Sequence, residues 1–155
     1  MQAMARFVRV FWSIVWRSLV IIMLGAGISW GLSELLHSLF VQSEFSIKFR
    51  LSLTFLPAAI MFAILAVRTK GIRNLLFEHR SEMSNAKWRQ TYAGLSACAF
   101  SIVAISCAAA LTLNTDTWFA LRALLPLPLF TVFWVGLAIW QAFDDHEDRL
   151  AKSGL

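Results

Sequence analysis

The chain has 155 residues, 59% hydrophobic and 15% charged, with 14 Lys and Arg against 9 Asp and Glu. Soluble domains average roughly 45–50% apolar and about 25% charged, so the composition excludes an ordinary soluble domain and points to lipid as the solvent. The formal charge of +5 is not read as a nucleic-acid footprint, because Lys and Arg beside apolar spans set orientation.

The first apolar run covers about residues 11–32, long enough for a hydrocarbon layer that takes roughly 20 helical residues. It follows Arg6 and Arg9 and has no small-x-small cleavage site, which predicts an uncleaved signal anchor. Arg6, Arg9, Ser13 and Arg17 are spaced by 3, 4 and 4 residues, so they share an arc of roughly 80° on one helix face. The simplest expectation is a span entering from the cytoplasm with its arginines snorkelling to lipid phosphate. The alternative is a basic stripe for an acidic partner, with Arg17 turned inward. Farther along, Gly27 and Gly31 form a GxxxG pair, which lets helix backbones approach closely.

The second run, 51–67, lies between Arg50 and Arg68 and contains Pro57. After it comes a basic segment, 68–90, that mixes Ile72, Leu75, Leu76 and Phe77 with six Lys and Arg residues. It is expected as an amphipathic helix on the inner leaflet. The third run, 92–113, carries Gly94, Ala97, Ser101, Ala104 and Ala108 within one arc of about 80°. That face is expected to pack tightly inside a bundle or against another subunit. Cys98 and Cys107 sit on opposite faces of this run, about 13 Å apart along the axis, and are expected to serve as packing residues. The fourth run, 118–143, is interrupted by Pro126 and Pro128, and proline removes a donor and bends a helix. Its polar tail, DDHEDRLAKSGL, is expected to fray.

These features predict an all-α, polytopic membrane protein of a single domain, residues 1–155, whose four spans form two helical hairpins. Positive charge concentrates at the N-terminus and in 68–90, whereas the other two connections carry only Lys48, Arg50 and the boundary residue Arg122. Both termini are therefore expected in the cytoplasm. Six of the seven Trp residues fall near predicted boundaries, where indole favours the headgroup level. A gapless offset of 72 pairs Trp16-Arg17 with Trp88-Arg89 and Arg50 with Arg122, which raises a duplicated hairpin as an alternative origin.

No acid or His lies deep within a span, as coupled transport and proton relays require. No nucleotide loop, metal motif or hydrolase triad is present, and no cofactor or metal is expected. Glu34 and His37 have the i, i+3 spacing of a metal pair, but two ligands rarely hold a metal. Arg50 and Arg122, near the outer ends of spans two and four, are expected to snorkel, with an anion or headgroup site as the alternative. The leading expectation is a non-catalytic protein of a bacterial inner membrane that contacts anionic lipid and binds a membrane protein partner or itself. The alternatives are a small oligomeric transporter or channel, and an outer-leaflet lipid enzyme using Glu34, His37, Arg50 and Arg122.

Overall fold

In the computed structural model the described backbone covers residues 2–37, 43–67 and 83–153, with side chains described for 4–35, 43–67 and 83–142. Every regular element is a helix. The helices are α1 (Gln2–His37), α2 (Glu44–Ser52), α3 (Leu56–Val67), α4 (Asn85–Thr112), α5 (Thr115–Leu124) and α6 (Pro126–Ser153). A 3-10 turn, Leu53–Phe55, joins α2 to α3. Among the described residues, four stretches are long and apolar enough to cross a membrane: Met4–Leu35, Glu44–Val67, Asn85–Thr112 and Thr115–Ala142. They match the four runs expected from hydropathy, begin earlier than each of them, and end within three residues of the expected ends.

The helix starts follow from local chemistry. Ser43, Ser84 and Asn114 hold extended backbone, and their side-chain oxygens accept from the N–H groups of Ser46, Lys87 and Thr117. Each satisfies one of the donors that a helix N-terminus leaves open. Prolines set the breaks. Pro57 stands in the first turn of α3, just after the 3-10 turn, and Pro126 opens α6. At N1, proline gives up a donor that the helix does not use. Pro128 follows within the same turn.

Two expectations change here and one falls outside the described residues. Residues 85–90 belong to α4 rather than to a loop, because Ser84 caps the helix eight residues before Tyr92. Residues 68–82, and with them most of the expected amphipathic segment, lie outside the described residues. The polar tail does not fray after Phe143; α6 continues to Ser153.

The main core draws on α1, α3, α4 and α6, with Ile14, Phe62, Trp88, Tyr92, Ile102 and Ala138 among its buried members. The pairing of α3 with α4 is the most extensive, and α1 packs on both α3 and α6. A smaller cluster joins Ala109, Ala110 and Trp118. α1 comes close to α3 at Gly25. A Cβ there would stand 2.7 Å from the Ala58 nitrogen and 2.8 Å from its Cβ, so only glycine lets the two backbones meet at this distance.

The offset of 72 that pairs Arg50 with Arg122 also carries the turn at Leu53 onto the break at Leu125. The paired side chains nevertheless stand in different surroundings. Trp16 is half-buried and Trp88 buried, while Arg17 is buried and Arg89 exposed.

Candidate functional site

Buried polar groups collect in two layers, one around Arg17 and one around Arg122.

In the first layer, Arg17 does not reach outward as expected. Its side chain is 4% exposed, with the guanidinium carbon 4.5 Å from the ring centre of Trp88 and 5.0 Å from that of Trp16. Its Nη1 also donates to the Ser13 carbonyl at 3.3 Å and to the Ser13 hydroxyl. The faces of indole rings attract a planar cation, and the attraction grows when water is excluded. Arg6 and Ser13 are half-buried and Arg9 is exposed, so of the predicted stripe only Arg17 is fully enclosed.

Beside it, Gln141 of α6 is 2% exposed. Its Nε2 reaches the Lys87 carbonyl and Thr91 Oγ1, both at 3.4 Å. Thr91 itself donates to the Lys87 carbonyl at 2.9 Å. Among the described residues, Gln141 Oε1 and Trp88 Nε1 have no hydrogen-bond partner. On the surface nearby, Arg89 Nε donates to the Ala66 carbonyl at 3.2 Å and ties α4 to the end of α3.

The second layer surrounds the break in span two. Arg122 Nε donates to the Leu51 carbonyl at 3.1 Å, and its Nη2 donates to Thr54 Oγ1 at 2.8 Å. Ser29 Oγ donates to the Thr54 carbonyl at 2.8 Å. Ser52 Oγ and Trp118 Nε1 both donate to the Ser106 carbonyl, at 3.0 and 3.2 Å. Lys48 Nζ reaches the Leu113 carbonyl at 3.3 Å and Glu44 at 3.1 Å. Arg50 Nη1 donates to the Ser33 carbonyl at 3.3 Å. Lipid offers no partner to backbone groups released by a 3-10 turn and a proline. Side chains from α1 and α5 supply them here.

The expected packing faces are placed differently. A Cβ on Gly27 or Gly31 would meet nothing within 4 Å, so the GxxxG pair faces outward and Gly25 makes the contact within the chain. Ala97, Ser101, Ala104 and Ala108 are exposed, whereas Leu95, Ile102 and Val103 of α4 are buried. Gly94 alone of that set faces a neighbour, with Leu137 Cδ2 at 3.3 Å from a Cβ placed there. Nor are the boundary tryptophans all anchors. Trp12, Trp30 and Trp140 are exposed, but Trp88 and Trp118 are fully buried.

Gln141, Ser52 and Gly25 were not singled out from the sequence. For Gly25 a signal existed: Gly25, Ser29 and Ser33 recur every four residues, and this small-residue row faces the break in span two. Among the described residues no three His, Cys, Asp or Glu come together to hold a metal. Comparison with known proteins finds no matching family model, no matching curated protein and no matching solved structure.

Proposed function

We propose that this chain is a non-catalytic membrane subunit of a bacterial inner membrane that associates through its outer face with another membrane protein or a second copy. The observation that carries the reading is the outward placement of close-packing residues. The chain closes its own bundle through Gly25, Ala58, Ala59 and Ala99. The faces bearing Gly27 and Gly31, and Ala97, Ser101, Ala104 and Ala108, are left exposed. In lipid, helix association is driven by close van der Waals packing, which small residues permit. Purification from native membranes in mild detergent should yield the chain with a co-purifying partner or as an oligomer. Gly27→Leu and Ala104→Leu should weaken that association without altering tryptophan fluorescence. A lone monomer from native membranes would overturn the proposal.

The orientation we infer is two helical hairpins with both termini in the cytoplasm. Charge bias supports it, and so do the contacts of Arg17 with Trp88 and of Gln141 with Lys87 and Thr91, which bring the first half of α1 and the far end of span four to the start of α4. A cysteine placed at Asp116 should label from outside intact cells, and one at Arg9 should not.

A second reading, a small transporter or channel, is favoured by the breaks at Leu53–Phe55 and Leu125, in corresponding positions of spans two and four. Interrupted helices at matched positions are where transporters place their binding sites. Solute or ion flux in liposomes, lost in Arg122→Ala, would establish it. Silent liposomes with correctly folded protein would remove it.

A further inference from the structure

Among the described residues, Arg50 and Arg122 are cations without a counter-charge. Each guanidinium offers five N–H donors. Arg122 commits two of them, to Leu51 and Thr54, and Arg50 one, to Ser33. All three acceptors are neutral oxygens. The nearby carboxylate of Glu44 is taken by Lys48, at 3.1 Å, and by the Thr115 hydroxyl. Glu34 and Asp116 are exposed, and among the described residues neither pairs with Arg50 or Arg122. Arg50 Nε is buried with no hydrogen-bond partner. A half-buried cation left in this condition is costly unless an anion completes it.

The partners that hold the two side chains lie about one helical turn apart. Arg50 and Thr54 are separated by about one helical turn, and Arg122 is bound to Thr54. Ser33, which holds Arg50, is likewise about one turn from Ser29, which donates to Thr54. Both arginines lie about 9–11 Å in from the start of their spans, at Glu44 and Thr115. Spans of 24 and 28 residues rise about 36 and 42 Å against a hydrocarbon layer of about 30 Å, which puts both arginines within about 6 Å of one headgroup boundary. A snorkelling arginine extends along the membrane normal; these two are instead folded onto backbone carbonyls and held there, with their remaining donors uncommitted.

We propose that Arg50 and Arg122 form a phosphate-binding site whose ligand is an anionic phosphate group presented at that membrane face. Forked guanidinium donors match phosphate oxygens in geometry as well as charge. Two sources present the same chemistry: the headgroup of an acidic phospholipid and free phosphate.

The test uses the full chain purified in mild non-ionic detergent. Native mass spectrometry measures retention of phosphatidylglycerol against phosphatidylcholine of equal chain length, with and without inorganic phosphate. Phosphatidylglycerol should be retained about tenfold more strongly. In Arg50→Gln that preference should fall about tenfold, and Arg50→Lys should keep part of it. Displacement of the lipid by millimolar inorganic phosphate would assign the site to free phosphate; retention would assign it to the headgroup. Arg122→Gln should behave like Arg50→Gln. Should loss of its clamp on Leu51 prevent folding, Arg50→Gln decides alone, since it leaves that clamp in place. Equal retention of the two lipids by the unaltered chain, or an unchanged preference in Arg50→Gln, would overturn the proposal.

Discussion

The Arg17 guanidinium carbon stands 4.5 Å from the ring centre of Trp88, across the bundle from its own helix. This contact joins α1 to α4, which otherwise touch little. It places a fixed positive charge between Trp16 and Trp88. Its stability consequence is direct. Arg17→Ala removes a desolvated cation–aromatic contact of about 2 kcal/mol and opens a void, so unfolding in mixed micelles should lose about 2–4 kcal/mol. Arg17→Lys should recover part of this, because a compact ammonium lacks the flat stacking surface. Arg9→Ala, at an exposed side chain, should stay within about 0.5 kcal/mol.

The glycines of α1 separate intramolecular from intermolecular packing. A Cβ at Gly25 would fall 2.7–2.9 Å from the backbone and Cβ of Ala58. Gly25→Ala should therefore force the helices apart and cost about 1–3 kcal/mol. Gly27→Ala meets open space and should gain up to about 1 kcal/mol from helix propensity alone. Thermal unfolding of the two variants in one detergent should move in opposite directions. A shift of the same sign and size would mean that the Gly25–Ala58 approach is not a close seam.

Gln141 makes weak bonds for a buried amide. Both contacts of its Nε2 are 3.4 Å long, and Thr91 already donates to the Lys87 carbonyl. Replacing Gln141 by leucine removes an amide whose Oε1 has no partner among the described residues and leaves no new donor stranded. Gln141→Leu should change stability by less than about 1 kcal/mol. Gln141→Ala should cost about 2–3 kcal/mol through the cavity it leaves. Chemical denaturation of the pair tests the difference.

Arg122 clamps the break in span two. Two of its N–H groups hold Leu51 and Thr54, the residues on either side of the 3-10 turn's first position. Hydrogen bonds from a charged group are worth at least about 1.5 kcal/mol each. In Arg122→Gln, hydrogen exchange at residues 53–56 should quicken by about tenfold or more, while exchange in α4 around Cys98 stays as before. Uniform acceleration across both segments would indicate global loosening instead of a local clamp.

The number of spans and their approximate limits were legible in the sequence. Span length is set by the solvent: a hydrocarbon layer demands about 20 apolar residues, and polar residues end each run. The prolines were legible as breaks because a missing N–H is a covalent property of the residue. Which face of each helix turns inward was not. In water the buried face is the apolar one, but here lipid and core are both apolar. On α4 the inward face carries Leu95 and Ile102, and the outward face Phe100 and Ile105, which hydrophobicity does not distinguish. The small-residue face was expected to pack either inside the bundle or against another subunit, and of these two the structure leaves it outside the bundle; Gly27 was singled out where Gly25 makes the contact. Composition and charge determined by themselves that the chain has four runs long and apolar enough to cross a membrane, with basic residues at their ends. Only the tertiary structure decided that Arg17 is enclosed by tryptophan and that Arg122 binds Leu51 and Thr54. Both outcomes depend on which backbone carbonyls and aromatic rings the packed helices bring within reach.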